Sequence, residues 1–305
     1  MKPILSICVP TYNRYHDLII LLESIKKLLF TNILEISLCD DGSTDDTKNY
    51  INQKIKEGIN IKYKFIEHTG RPRALKESIL MSSGRYIIIS DSDDSFIERN
   101  LESLATDIIN NTYNLNEISG FSFLCGKNKF KIIGDKFPLN QFKSNLVDLK
   151  YLHNIKGDKC EVYEASILKK NMYSLIDNEK RIPTMYLHAK LNNNHFLCLN
   201  KILKIKKYSK DGMSKNIYYY KLKSPNYTYL TYYELYKLNF KNVNKFLYLK
   251  LSINYWRFYF HSSEIYKKKL QYKNKRYDYI IKIIGKLFYI TDKIIYKFKY
   301  ENRNS

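Results

Sequence analysis

No run of 18 apolar residues free of charge occurs in the 305-residue sequence, and "MKPILSICVPTYNR" enters a strand pattern without a signal-peptide core or cleavage site. A spanning helix is therefore not expected, and the chain reads as cytoplasmic. Cysteine is also scarce. Cys8, Cys39, Cys125, Cys160 and Cys198 stand singly, mostly inside apolar runs, with no Cys-x-x-Cys pair. That argues against a disulfide framework and suits small buried thiols of a reducing compartment. The six histidines are scattered, none with a partner at zinc-ligand spacing. Neither GxxxxGK[ST] nor GxGxxG follows the first strand pattern, so P-loop and dinucleotide chemistry are unsupported. We find no internal repeat.

What is present is a globular apolar fraction of 44% and a large excess of positive charge, +22. The excess is uneven. Residues 241–305 hold 16 Lys/Arg against 4 Asp/Glu, so more than half of it lies in the last fifth of the chain.

Along the first hundred residues strand and helix patterns alternate. "ILSICV" (4–9) is followed by "RYHDLIILLESIKKLL", whose leucines and isoleucines recur at helical spacing. "ILEISLC" (33–39) precedes a helix with Ser43 or Thr44 as its cap and Gly58 as its stop. "IKYKFIE" leads into "RPRALKESILMSSG", and "RYIIIS" (85–90) is the fourth strand. Such alternation predicts an α/β fold with a mainly parallel sheet and helices on both faces. The stretch 101–215 is less regular, with strands expected at "ISGFSFLC", "KFKIIG" and "KILKIKKY". Beyond 216, Tyr, Phe and Lys dominate. We divide the chain at 215, with two halves (1–100 and 101–215) before a helical, basic and aromatic region (216–305).

In open α/β sheets ligands bind beyond the carboxyl ends of the strands. Those ends are "PTYNR", "DDGSTDD", "EHTGRPR" and "DSDDS", four polar segments converging on one edge. The last carries Asp91, Asp93 and Asp94. Two unit charges about 5 Å apart repel by roughly 3 kcal/mol at an effective dielectric near 20, so the cluster needs compensation by a cation or by water. A lone acidic cluster is ordinarily a solvated turn; at the end of a buried strand it suits Mg2+ or Mn2+, which favour carboxylate oxygen and can bridge to a diphosphate.

"SICVPTYNR", "CDDGSTDDT" and "RALKESILMSSGRYIIISDSDD" resemble the successive motifs of family 2 glycosyltransferases of the GT-A fold. The similarity continues through "GDKCEVY", "ILKK", "EKRIP" and "YSKDGMSKN" toward a bacterial branch associated with capsule and other surface polysaccharides, covering about residues 4–215. The resemblance implies an inverting enzyme that moves a sugar from a UDP-linked nucleotide-sugar donor to a glycan or lipid-linked acceptor, with residues 1–100 as the nucleotide-binding half and 101–215 as the acceptor half. It implies that Pro10, Thr11, Tyr12, Asn13, Asp41 and Ser92 contact the donor, with Arg71 and Arg73 near its phosphates. Asp40 is expected to support or cap, and a solvated position is an equal alternative for each arginine. By the same resemblance Asp91 and Asp93, with Asp94 beside them, hold Mn2+ or Mg2+.

Two departures stand out. Where the family often has Ala-x-Asn-x-Gly, the chain has Ala74, Leu75, Lys76, Glu77 and Ser78. Where a glutamate commonly follows "EK-x-x-P" as general base, the chain has Thr184, whose hydroxyl is not a useful base near neutral pH. Glu179 and Asp158 are the first substitutes, ahead of Asp177 and Glu161. A catalytically silent relative that binds nucleotide or glycan is the alternative reading.

In "DYIIKIIGKLFYITDKIIYKFKY", Asp278, Lys282, Lys286, Lys293 and Lys297 form a polar stripe near period four beside a broad apolar face. This predicts a basic amphipathic helix on an anionic membrane surface, with internal packing or a homo-oligomer as the alternative. The expected location is the inner face of the cell membrane, as a peripheral protein. No nucleic-acid motif accompanies the basic tail, so nucleic acid is not an expected partner.

Overall fold

Runs of Ile, Leu and Val followed by amphipathic stretches fold as the alternation demands. The computed structural model describes residues 2–207, 216–238, 244–267 and 275–298. The chain forms two compact units, Met1–Tyr173 with Leu191–Ser209, and Ser174–Lys190 with Lys210–Ser305.

The first unit opens with β1 (Leu5–Thr11), α1 (Tyr15–Glu23), β2 (Leu34–Asp40), α2 (Thr47–Lys56), β3 (Ile61–Phe65), α3 (Arg71–Met81) and β4 (Tyr86–Ile89). It continues with β5 (Ser95–Phe96), α4 (Glu98–Ile109), β6 (Gly120–Gly126), β7 (Phe142–Ser144), α5 (Leu146–Tyr151), β8 (Lys159–Glu164) and α6 (Ala165–Lys170). After α7 (Thr184–Lys190), which belongs to the second unit, β9 (Phe196–Ile205) completes the sheet. Nine strands lie in the order β3-β2-β1-β4-β8-β6-β9-β5, with β7 also on β9. β3, β2, β1 and β4 are parallel neighbours, and β8 runs antiparallel between β4 and β6.

Residue size sorts the two faces. Leu5, Ile7 and Val9 of β1 and Leu34, Ile36 and Leu38 of β2 share one apolar core with Leu18 and Leu21 of α1 and Leu101 and Leu104 of α4. Each such side chain adds roughly 1.5–3 kcal/mol by leaving water. The opposite face of the same strands carries Cys8 and Ser37, small enough for α3 to approach, and both donate to the Ser78 carbonyl. All five cysteines are buried and free.

Several boundaries differ from the sequence reading. Helix α2 begins at Thr47 rather than at Ser43 or Thr44, because Asp45 accepts from the Thr47 N–H while Ser43 and Thr44 bond Asn13. "KFKIIG" makes only an isolated bridge, Gly126 to Ile132, before turning at Gly134 (φ +73°). β9 starts at Phe196, upstream of "KILKIKKY", and pairs with β6 through register shifts near Leu124. The 215 boundary and the segment "YSKDGMSK" lie outside the described residues.

The second unit contains α7, α8 (Ile217–Lys223), α9 (Pro225–Lys237), α10 (Lys245–His261) and α11 (Lys275–Tyr296). Residues 174–190, placed by the sequence reading in the first domain, join it because their polar groups are taken up by α9. Tyr227 Oη donates to the Ser174 carbonyl and accepts from the Ile176 N–H. Tyr227, Tyr229, Tyr255, Trp256 and Phe258 are buried, so many aromatics of the tail form this unit's core. α10 and α11 approach closely at Gly285, where a Cβ would sit 2.5 Å from that of Trp256. Among the described residues no helix is long and apolar enough to cross a membrane.

Candidate active site

The carboxyl edge of the first unit is built by loops that fasten one another. Asn13, at the end of the β1 turn, adopts φ +50°, and its Oδ1 accepts from the Thr44 N–H at 2.8 Å. Asp40, fully buried at the end of β2, accepts from the Ser43 N–H (2.8 Å) and from Tyr63 Oη (2.8 Å). Its role is to hold the turn.

Asp41 is also engaged. Its carboxylate accepts from the N–H groups of Thr69 (2.9 Å) and Gly70 (3.0 and 3.1 Å) and faces His68 Nδ1 at 3.1 Å. Gly70 precedes α3 with φ +102°, so Asp41 places its charge at that helix's positive end. Asp41, expected to contact the donor, fixes the His68–Gly70 loop. The Tyr12 ring, 43% exposed, stacks on His68 with centroids 4.2 Å apart. Pro10 lies within β1 opposite Cys39, and the hydroxyl of Thr11 is buried without a hydrogen-bond partner.

The three aspartates after β4 occupy three different environments. Asp91 Oδ1 accepts from Arg71 Nε (3.1 Å) and Nη2 (2.6 Å). That guanidinium holds the Asp91 carboxyl well below the usual carboxylate range. Asp94 is 1% exposed, and its carboxylate lies 3.2 Å from Lys204 Nζ but makes no aligned hydrogen bond. Lys204, itself buried, donates to the Ile89 carbonyl at 3.0 Å. Asp93 lies between them, half-buried. Burial and the negative charges of Asp91 and Asp94 raise its pKa. Ser92 is buried in the same turn, whereas Arg73 is exposed on α3.

The expected metal triplet is thus divided, because Asp94 is committed to a buried lysine. Among the described residues no group of three or more His, Cys, Asp and Glu side chains converges as a ready metal site. The donor set still suits a hard cation held by one or two carboxylates and completed by substrate phosphate, the usual mode for Mg2+. Asp93, crowded by like charge, is the group such an ion would relieve.

Further along the edge, Asp158 lies 3.3 Å from Lys206 Nζ. Burial alone would lower the Lys206 pKa and Lys204 opposes its charge, but Asp94, Asp158 and Asp91 raise it. Glu161 stands on β8 opposite Ser122 of β6, one residue before Val162, which pairs with Ile88 of β4. Burial pushes its carboxyl up to about 7.

Glu179, the other expected base, is in the second unit. Its two oxygens accept from the N–H groups of Asn226 (2.6 Å) and Tyr227 (2.8 Å), in the first turn of α9. Burial nevertheless pushes its carboxyl up to about 7. The geometry makes Glu179 a helix cap. Thr184 opens α7.

Sequence reasoning missed Lys204, Lys206, Tyr63 and His68. For the lysines a signal existed: in "KILKIKKY", positions 204 and 206 are two apart and so share one face of a strand and its extension. For Tyr63 and His68 only the fold brings the partner near.

A family model described as "Glycosyl transferase family 2" matches residues 6–170. "Glycosyltransferase GlyG" of Streptococcus pneumoniae is 33% identical over 129 residues, 39% of this chain and 42% of that protein. "UDP-Glc:alpha-D-GlcNAc-diphosphoundecaprenol beta-1,3-glucosyltransferase WfaP" of Escherichia coli is 37% identical over 94 residues, 31% of this chain and 37% of that protein. The chain therefore spans less than half the length of each of these relatives. Among solved structures, S. aureus TarS 1-349 in complex with UDP-GlcNAc is similar with a TM-score of 0.57 and 19% identity, covering 97% of this chain and 92% of that one. The likeness is one of fold, and it agrees with the expected GT-A architecture with a helical C-terminal region.

Proposed function

Because the chain belongs to glycosyl transferase family 2, we propose that it transfers a sugar, with inversion, from a UDP-linked donor to a lipid-linked glycan acceptor in surface polysaccharide synthesis. The observation that carries the proposal is the carboxyl edge of the sheet inside the matched region. There an open Asp93 lies among Asp91, Arg71 and the buried pair Asp94–Lys204. Relatives whose names specify a UDP-glucose donor and a diphosphoundecaprenol-linked acceptor, and a neighbour in complex with UDP-GlcNAc, support the donor and acceptor classes.

In this reading the exposed Tyr12 ring and the β1 turn, Pro10 to Asn13, receive the nucleoside. Asp41 supports that surface through His68, and Ser92 shapes the turn beneath it. Arg71 and Arg73, on the first turn of α3, face the diphosphate. Asp93 and Asp91 would hold Mn2+ or Mg2+, which would offset charge on the departing nucleoside diphosphate.

The acceptor hydroxyl attacks the anomeric carbon, the bond to the diphosphate oxygen breaks, and the hydroxyl proton passes to a carboxylate. We assign that proton to Glu161 rather than to Glu179 or Asp158. Glu179 holds α9, and Asp158 faces Lys206, whereas a carboxyl near 7 is matched to proton transfer at neutral pH. A lipid-linked acceptor further implies work at a membrane surface, on its cytoplasmic side.

A silent, nucleotide-binding relative is the second reading, favoured by Thr184 in place of a carboxylate. Thermal shift and donor turnover separate the two. We expect UDP or a UDP-sugar with Mn2+ to raise Tm, with donor hydrolysis or transfer lost in Asp93→Ala. Stabilisation by nucleotide without turnover selects the silent relative, and no stabilisation by any nucleotide refutes both.

A further inference from the structure

α11 is the longest helix described, and its two carboxylates point inward. Asp292 is 2% exposed and accepts from Tyr218 Oη (2.6 Å) and Arg257 Nε (2.7 Å), with His261 Nε2 at 2.9 Å. Asp278 is 4% exposed and accepts from Tyr236 Oη. With Ile281 and Gly285 these residues form the seam that faces the rest of the second unit.

The outer side is apolar. Ile280, Ile283, Leu287, Ile290 and Ile294 recur at spacings of three and four and are each 45–59% exposed. At about 100° per residue they fall within one arc opposite the buried seam, and exposed Phe298 prolongs it. Lys286, Lys293 and Lys297 are exposed along one flank, between the apolar arc and the seam. Lys282, higher on that flank, lies over the Trp256 ring at 5.0 Å.

Both acids are withdrawn into the unit, so every exposed charge among the described side chains of α11 is cationic. A second copy laid on this face would bring like charges together at its margin. An anionic bilayer would accept the isoleucine arc below the headgroups and the lysines at their level. The same lysines keep the helix from crossing the bilayer.

We propose that the outer face of α11 is a docking surface for an anionic lipid bilayer, with α11 lying in the plane of the interface. The assignment rests on the reading that the acceptor is lipid-linked, and names the surface that brings the protein to it.

The test uses the full chain with phosphatidylcholine vesicles, with and without phosphatidylglycerol, in a co-sedimentation assay. We expect binding that requires phosphatidylglycerol, weakens with salt, and falls at least tenfold in Leu287→Glu/Ile294→Glu. Lys286→Gln/Lys293→Gln, which leaves the apolar arc intact, should weaken binding and flatten its salt dependence. Wild-type circular dichroism and an unchanged Tm in the double glutamate variant show that the helix still folds. Equal binding to both vesicle types, or vesicle binding unaffected by the glutamates, overturns the proposal. So does a concentration-dependent dimer that the glutamates dissociate, which would assign the face to a second copy. Nucleotide stabilisation is read in the absence of lipid, so failure here leaves the glycosyltransferase reading standing, and failure there leaves vesicle binding standing.

Discussion

Removing the Lys204 ammonium should be far more damaging than removing any surface lysine. The side chains of Lys204 and Asp94 are 8% and 1% exposed and their charges are 3.2 Å apart. At that separation the attraction is about 5 kcal/mol at an effective dielectric near 20, and it offsets the cost of holding both ions away from water. Lys204→Met keeps the aliphatic stem but leaves Asp94 buried beside Asp91 and Asp93, with the Ile89 carbonyl deprived of its donor. Breaking one side of such a pair costs roughly 3–5 kcal/mol. For a unit of this size that corresponds to a fall in Tm on the order of 10 °C. Far-UV circular dichroism during urea denaturation measures the loss. Trp256, the single tryptophan, reports the second unit by fluorescence and shows whether the damage is confined to the first. Lys204→Met/Asp94→Asn should recover at least half of the deficit, because the uncompensated charge is gone. A single variant that loses under about 1 kcal/mol, or a double variant no better than the single, refutes the idea that the pair is an electrostatic lock.

Two pH profiles follow. With the Glu161 carboxyl at about 7, the rate of transfer at low acceptor concentration should rise with pH through about 7, and Glu161→Gln should abolish that limb while leaving nucleotide binding intact; a variant with the wild-type limb would remove Glu161 from the mechanism. Its folded value lies above the unfolded value near 4.3, so Glu161 also costs stability as pH rises from about 4 to 7, and the glutamine variant should lack that part of the slope in urea titrations. In the second unit burial opposes ionisation of Asp292, but hydrogen bonds from His261, Arg257 and Tyr218 hold it at about 2. A depressed carboxylate contributes stability above its unfolded value near 3.9 and loses it as pH falls toward 2, here about 2–3 kcal/mol. Trp256 fluorescence should therefore show an acid transition in that window whose pH dependence is weakened in Asp292→Asn; an identical profile would show that the network contributes nothing.

Local signals carried the first hundred residues because each decision there is local. The strands β1, β2 and β4 are rich in Ile, Leu and Val and nearly fully buried, and the helix of "RPRALKESILM" starts at Arg71 as the pattern requires. The convergence of "DDGSTDD" and "DSDDS" also needed only the rule for parallel sheets. What the sequence could not display was which carboxylates the fold would already occupy. Asp41 and Glu179 both read as open functional acids, yet each faces backbone N–H groups that arrive from 28 to 48 residues away. "KFKIIG" has strand propensity but meets the end of β6 at a single bridge, Gly126 to Ile132, and continuous pairing decides a strand more than propensity does.

Exposure then separates the ion pairs at the edge by what each can do when a diphosphate arrives. In Arg71–Asp91 the side chains are 33% and 41% exposed, whereas Lys204–Asp94 is sealed. Turning the Arg71 guanidinium, whose Nε and Nη2 both donate to the single oxygen Asp91 Oδ1, toward a phosphate exchanges one anionic partner for another in a half-wet setting, a small net cost. Moving Lys204 would strand Asp94 and forfeit several kcal/mol, so Lys204 has to remain where it is. The lysine thus fixes the turn that presents Asp91 and Asp93, and the arginine is the cation free to follow the substrate. Three clustered aspartates then need no single partner: one is neutralised for good by Lys204, one is lent to Arg71, and Asp93 keeps its charge for the ligand.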